Sequence, residues 1–370
     1  MTRYLYLIML LALIGCSDEE AYVSNGEHHP IYLAVALDKV TRAPYELQNP
    51  TTNKPLDVDV WASTTKYEYP NKNKNGSDEF GGIVELHTTA HFQSSAPQLL
   101  SNAIYNKDAQ KQVYFVAMYP QGWDALYENT QADFTFNGAQ DLMFASQISG
   151  TYATDYDKTP QLYFRHLLTW LTFELKAETE DAAIAWGKIQ KIGIRSCKAV
   201  SIDLSANSYT ESTSDDGKTL FEYNWNGDGI KYADEDQLPL YHVKPQSEFL
   251  TADTTFEDKY NAKGGYELDY ARAHEVAYVM CAPVVGSYTD ADDEPTDEYV
   301  LTIVTEKRTI EIGLDLKKAA GTDVDSYYVG STRGRKFSFL LNFRLGNTIT
   351  VSGQMNDWEP GGIINKDIRE

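Results

Sequence analysis

The chain has 370 residues and a formal net charge of −22, which indicates an acidic globular protein of about two domains. Apolar residues make up 42% and charged residues 23% of the sequence, and this balance excludes a wholly disordered or fibrous chain. The excess negative charge would repel phosphate backbones, so we expect no binding to nucleic acid. The 26 tyrosines favour half-buried strands over a helical bundle.

The amino terminus carries the features of an export signal. An apolar run from Tyr4 to Ile14 follows Arg3. A transmembrane helix needs about 20 apolar residues, so this shorter run is typical of the central region of a secretory signal peptide. We therefore predict that residues 1–15 form a signal peptide.

The run ends in Leu13-Ile14-Gly15-Cys16, which resembles a bacterial lipobox. Acylation of Cys16 would anchor the protein to the outer membrane as a surface-exposed lipoprotein, since several acyl chains together hold a protein stably on a bilayer. Residues 16–28 then form a predicted acidic tether. Its Ser17-Asp18-Glu19-Glu20 run resembles the export signal of surface lipoproteins, and a solvated linker is the alternative.

The first apolar segment of the mature chain runs from Ile31 to Leu37. It is apolar on both faces, and this predicts a strand buried between neighbouring strands. Thr41-Arg42-Ala43 follows in a polar stretch before Pro44, where a protease could reach the chain.

Alternating apolar and polar residues recur along the rest of the chain and predict an all-β fold. The clearest strand is residues 336–345, followed by a tight turn at Gly346-Asn347 and a returning strand at residues 348–352. Residues 162–175 fit a helix face or a strand face, and their threonines and aromatic residues favour a strand. The other clear strands are predicted at residues 57–62, 83–88, 112–118, 299–305 and 309–314.

Many short strands with intervening turn residues predict two Greek-key β-sandwich domains in tandem. We place the N-terminal domain at residues 29–157 and the C-terminal domain at residues 158–370. The polar stretch from Gly150 to Pro160 is the predicted linker.

Few residues suggest a metal site or a catalytic site. Asn224 to Gly229 with Glu235 approaches the spacing of a calcium loop, but flanking helices are not indicated, and a surface loop over residues 224–237 is the preferred prediction. His87 and His91 lie two pleats apart on a predicted strand, which does not favour a shared metal. We expect no metal and no cofactor.

No serine stands in a nucleophile elbow, so enzyme activity is not expected. Cys197 and Cys281 both lie in apolar, strand-like segments. A disulfide between them is compatible with an extracytoplasmic location, and burial as free thiols is favoured.

Several segments together resemble the fimbrillin-like lipoproteins that build Bacteroidetes-type (type V) pili. In chain order they are the lipobox Cys16, the apolar first strand, Thr41-Arg42-Ala43, Asp57 to Ala62, Val113 to Pro120, Asp141 to Ala145, Leu162 to Leu168, the aromatic hairpin after Lys336, and Asn356-Asp357-Trp358 with Gly361. They cover nearly the whole mature chain.

The resemblance implies two transthyretin-like β-sandwich domains, export as a lipoprotein, and proteolysis after an arginine that follows the first strand. Arg42 is the matching position. Removal of that strand, with its inward residues Ile31, Leu33, Val35 and Leu37, would open a groove that a strand from another fimbrial subunit could fill. The partners implied are other fimbrial subunits, outer-membrane lipid through Cys16, and a host or glycan ligand.

The carboxyl terminus departs from the pattern, because only 12 residues follow Trp358 and a C-terminal donor strand would be short. A stalk, tip, anchor or non-polymerising role therefore stays open. The leading hypothesis is a structural or adhesive fimbrial subunit assembled by donor-strand exchange. The alternative is a non-polymerising surface lipoprotein that binds glycans through exposed aromatic rings.

Overall fold

The structure is a computed structural model. It describes residues 29–37, 56–70, 75–77, 79, 82–92, 98–106, 108, 110–127, 131–155, 159–204, 209–213, 219–223, 230–242, 254–283, 299–314, 334–346 and 348–356.

Strands dominate the described residues. The first ten are β1 His29–Leu37, β2 Leu56–Ser63, β3 Asn75–Ser77, β4 Ile83–Phe92, β5 Gln98–Tyr105, β6 Val113–Tyr119, β7 Asp124–Tyr127, β8 Gln131–Thr135, β9 Met143–Gly150 and β10 Gln161–His166. The others are β11 Thr169–Ala177, β12 Ile189–Asp203, β13 Tyr209–Thr213, β14 Thr219–Tyr223, β15 Ile230–Pro239, β16 Tyr241–His242, β17 His274–Cys281, β18 Tyr299–Thr305, β19 Thr309–Leu314, β20 Lys336–Phe343 and β21 Ile349–Asn356.

The helices of the described residues are short: α1 Tyr152–Asp155, α2 Glu180–Trp186 and α3 Phe256–Asn261. Thr179 begins α2, because its side chain accepts the N–H of Ala182, and Gly187 ends it with a φ of 69°. Thr255 caps α3 in the same way through the N–H of Asp258. The all-β prediction is confirmed.

The described strands form three large sheets and one small hairpin. The largest sheet has the order β3-β4-β2-β6-β9-β10-β1-β5, and a second has the order β16-β17-β11-β20-β21. The third has the order β19-β18-β12-β8-β7, with β15 also paired to β12, and β13 pairs with β14 alone.

Two hydrophobic clusters fill the interior, and strands β2 and β6 contribute to both. Val60 of β2 and Phe115 of β6 lie in the cluster that the largest sheet encloses. Trp61 and Val116, the next residue of each strand, lie in the cluster formed with the two other large sheets. Successive strand residues point to opposite faces, so β2 and β6 are buried on both faces.

Most strand predictions made from alternation are confirmed. Residues 336–343 and 349–356 pair as an antiparallel hairpin, and Gly346 takes a φ of +87° at its turn. The ambiguous segment forms two strands, β10 and β11. The surface loop predicted for residues 224–237 is wrong from residue 230 onward, because β15 pairs there with β12 and places Glu235 opposite Cys197.

The division of the chain at residue 157 stays a prediction. Strands that precede residue 157 in the sequence pair with strands that follow it. Strand β10 pairs with β9 and β1, and β8 pairs with the far end of β12.

Candidate functional site

The candidate site is strand β1 together with the groove that it fills between two neighbouring strands, β10 and β5. We call this groove the seat. Strand β1 lies between β10 and β5, parallel to the former and antiparallel to the latter. Its two halves use different partners: residues 29–33 pair with β5, and residues 34–37 pair with β10. Loss of β1 would therefore leave both neighbours with an unpaired edge.

The inner face of β1 fills the core. Ile31, Leu33 and Val35 have no exposed surface, and burying a side chain of this size is worth about 1.5–3 kcal/mol. Leu37 lies on the same strand opposite Phe164, and its side chain is outside the described residues. The seat itself is lined by Leu100, Ala103 and Tyr105 of β5 and by Leu162 and Phe164 of β10.

The outer face of the same three strands is apolar and exposed. Tyr32 is 44% exposed, Leu99 54% and Tyr163 52%; we call these three residues the outer patch. Tyr32 lies directly opposite Leu99, and the hydroxyl of Tyr163 donates to Oε1 of Gln161 at 2.7 Å. The sequence interpretation missed this patch because it assigned both faces of β1 to the interior, although the alternation of Tyr32 with Ile31 and Leu33 was a signal for it.

Strand β10, which lines one side of the seat, also makes contacts that do not involve β1. Strand β10 pairs with β9 through residues 164–166. At its end, Nδ1 of His166 lies 2.5 Å from Oδ2 of Asp141, and both side chains are buried. The N–H of Leu167 then donates to the carbonyl of Leu142 at 2.8 Å.

The two histidines of β4 have separate surroundings. His87 is buried and stacks on Trp61 with ring centroids 4.3 Å apart, and its Nε2 lies 3.7 Å from Oδ1 of Asp59. His91 pairs with Asp57 on the exposed end of the same face. Among the described residues, no group of three or more His, Cys, Asp or Glu side chains could hold a metal ion.

His274 also has an aspartate as its partner. Its Nε2 lies 2.8 Å from Oδ2 of Asp269, and this hydrogen bond is the main cause that lowers the pKa of the Asp269 carboxyl from its usual value. His274 is the first residue of β17. The structure describes no helix that is long and apolar enough to cross a membrane.

Cys197 and Cys281 are free thiols, on β12 and β17. Cys281 is fully buried, and burial raises the pKa of its thiol well above the usual value. Cys197 is half-buried. The signal peptide, Cys16, the acidic tether and Arg42 lie outside the described residues, as do residues 224–229 of the calcium-like segment.

The family model described as fimbrillin-like matches residues 41–266, which is more than half of the chain. No curated protein matches the sequence.

Solved structures that are similar to this chain include proteins from Bacteroides uniformis, Bacteroides ovatus and Porphyromonas gingivalis. A candidate cell adhesion protein from Bacteroides uniformis is 16% identical, with 89% of this chain and 99% of that chain covered and a TM-score of 0.43. A candidate cell adhesion protein from Bacteroides ovatus is 13% identical, with coverages of 90% and 99% and a TM-score of 0.45. The fimbrial anchor protein Mfa2 from Porphyromonas gingivalis is 11% identical, with coverages of 89% and 98% and a TM-score of 0.36.

The extent of the family match and the all-β fold lead to one assignment: the chain belongs to the fimbrillin-like family.

Proposed function

We propose that the chain is a fimbrial or adhesive protein of the cell surface, in which β1 is a removable strand and its seat receives a strand from another subunit. Membership of the fimbrillin-like family supports a structural or adhesive role without catalysis. The observation that carries the proposal is the seat itself. A single strand supplies Ile31, Leu33 and Val35 to the core and separates β10 from β5.

The spacing of the strand ends supports cleavage between β1 and β2. A line of paired Cα atoms runs across the sheet through Leu37, Phe164, Ala145, Ala117 and Val60. Leu37 thus lies four strand spacings from Val60, and Leu56 lies four residues before Val60 along β2. The distance from Leu37 to Leu56 is therefore about 23 Å. The residues between Leu37 and Leu56 could span about 60 Å. The connection that contains Arg42 is therefore much longer than the gap requires, and this favours access for a protease.

Digestion with an arginine-specific protease tests the proposal. We expect the full-length chain to be cut first after Arg42, giving a fragment that begins at Ala43, because the connection is long, whereas the arginines of the described residues lie within or beside paired elements. Size-exclusion chromatography is then expected to show a ladder of oligomers as strands exchange between molecules.

The matched control is Arg42→Lys, which keeps the positive charge but removes the site that an arginine-specific protease recognises. We expect this variant to stay uncut between β1 and β2 under the same conditions and to remain a monomer. A first cut elsewhere in the unmodified chain, or a cut monomer that never exchanges residues 29–37, would count against the proposal.

We also propose that Cys16 carries the membrane anchor. The apolar run before it and the lipobox-like residues support acylation. We expect Cys16→Ser to lose incorporation of labelled fatty acid and to leave the membrane fraction, while Cys197→Ser keeps both. If the Cys16→Ser protein incorporates as much labelled fatty acid as the unmodified chain, Cys16 is not the site of the membrane anchor.

A non-polymerising glycan-binding lipoprotein is the second candidate. The outer patch favours it, because the exposed rings of Tyr32 and Tyr163 offer flat apolar surfaces with polar tips. A chain that resists cleavage after Arg42, stays monomeric and binds sugars through Tyr163 would fit this candidate better than the first.

A further inference from the structure

Strand β5 depends on β1 for its place in the sheet. It stands at the end of the strand order of its sheet, and β1 is its ladder partner among the described strands. The pairing joins His29 to Tyr105 at one end and Leu33 to Gln98 at the other. When β1 leaves, β5 loses the ladder hydrogen bonds that the described strands provide.

The opposite wall does not share this dependence. Residues 161–164 of β10 pair with β1, but residues 164–166 pair with β9, so this second part of its ladder does not involve β1. The buried contact between His166 and Asp141 and the hydrogen bond from Leu167 to Leu142 hold its far end. The two strands that line the seat therefore differ: β10 keeps a second ladder partner in β9, whereas β5 has β1 as its ladder partner among the described strands.

The cost of opening also differs across the sheet. The β1–β5 pair is buried on its inner face, where Leu33 and Leu100 lie, whereas Tyr32 and Leu99 on its outer face are exposed. Strands β2 and β6 are buried on both faces. Local opening is cheapest where few apolar contacts are lost, so the β1–β5 edge should open before the centre of the sheet.

The carboxyl end of β5 is held by a hydrogen bond that does not involve β1. Asn106, which directly follows β5, is buried and donates from Nδ2 to the carbonyl of Ile83 at 3.0 Å. An opened β5 therefore remains beside its seat and can pair again.

We infer that β1 and β5 open together as one unit while β10 stays in the sheet. An incoming strand would then dock first along β10, and β5 would close over it afterwards. The inference concerns the folded chain itself and does not require cleavage at Arg42.

Native-state hydrogen exchange of the unmodified full-length chain tests the inference. We expect peptides from residues 29–37 and 98–105 to have protection factors within about tenfold of each other, and both at least about 100-fold below those of β2 and β6. If residues 98–105 are protected as strongly as β2 while β1 exchanges early, the two strands do not open together and the inference is wrong.

A pair of variants at one position gives a second test. Tyr32→Pro fixes φ at about −65° within the half of β1 that pairs with β5 and so distorts the extended strand there, and we expect residues 98–105 to exchange at least about tenfold faster. Tyr32→Ala removes the same ring but leaves the backbone free to stay extended, so exchange of residues 98–105 should stay close to that of the unmodified chain. In both variants β9 should keep its protection. Equal exchange of residues 98–105 in the two variants would overturn the inference, and if Tyr32→Pro does not fold, the experiment on the unmodified chain decides.

Discussion

Replacing Leu33 by alanine is expected to lower the free energy of unfolding by about 3 kcal/mol. Leu33 has no exposed surface and packs in the core beside the lining of the seat. Truncation removes buried apolar surface and leaves a cavity that β10 cannot fill, because its ladder to β9 holds it in place. Urea denaturation of the two proteins measures the difference through the transition midpoint.

Tyr32→Ala is the matched control for this substitution. Tyr32 is the neighbouring residue on the same strand, and 44% of it is exposed. Its truncation should cost less than about 1 kcal/mol, since surface substitutions away from special features have small effects. Equal losses for the two variants would show that the inner face of β1 does not hold the strand in its seat.

Replacing Asp59 by alanine is expected to cost about 2–4 kcal/mol. The carboxylate of Asp59 is buried, and its Oδ2 accepts the N–H of Gly122 at 2.6 Å and of Trp123 at 2.7 Å. Alanine would leave the N–H of the buried Trp123 without its partner inside the protein and would also remove the hydrogen bond to the more exposed Gly122. Gly122 has a φ of +114°, a conformation that favours glycine, so the segment cannot easily rearrange.

Asp57→Ala provides the control on the same strand. Asp57 pairs with His91 in an exposed position, and exposed ion pairs typically contribute less than about 1 kcal/mol. Urea denaturation of both variants compares the two carboxylates directly. A loss at Asp57 that matches the loss at Asp59 would mean that the hydrogen bonds to Gly122 and Trp123 do not stabilise the fold.

Asp57 and Asp59 show what a local sequence pattern can predict and what it cannot. Alternation places both aspartates on the same face of β2, and this assignment is correct. The pattern does not show that the segment around Trp123 folds over Asp59 and leaves Asp57 uncovered. That difference depends on residues more than 60 positions away, which no local window contains.

For the candidate site, too, the sequence indicated some features and did not indicate others. The apolar content of residues 31–37 indicated a buried strand, and the structure buries Ile31, Leu33 and Val35. The sequence did not indicate which strands would flank it, because the pairs that form the seat join Val35 to Leu162 and Tyr32 to Leu99. The contact of His166 with Asp141 likewise joins two segments that are separate in the sequence.

The sequence by itself determined where most strands lie and which of their faces carry apolar side chains, because successive residues of a strand alternate between two faces and leave a local pattern of period two. Only the tertiary structure decided that β2 and β6 serve two cores and that β1 separates β10 from β5. Those outcomes depend on pairing between distant segments, which side-chain packing across the whole sheet selects.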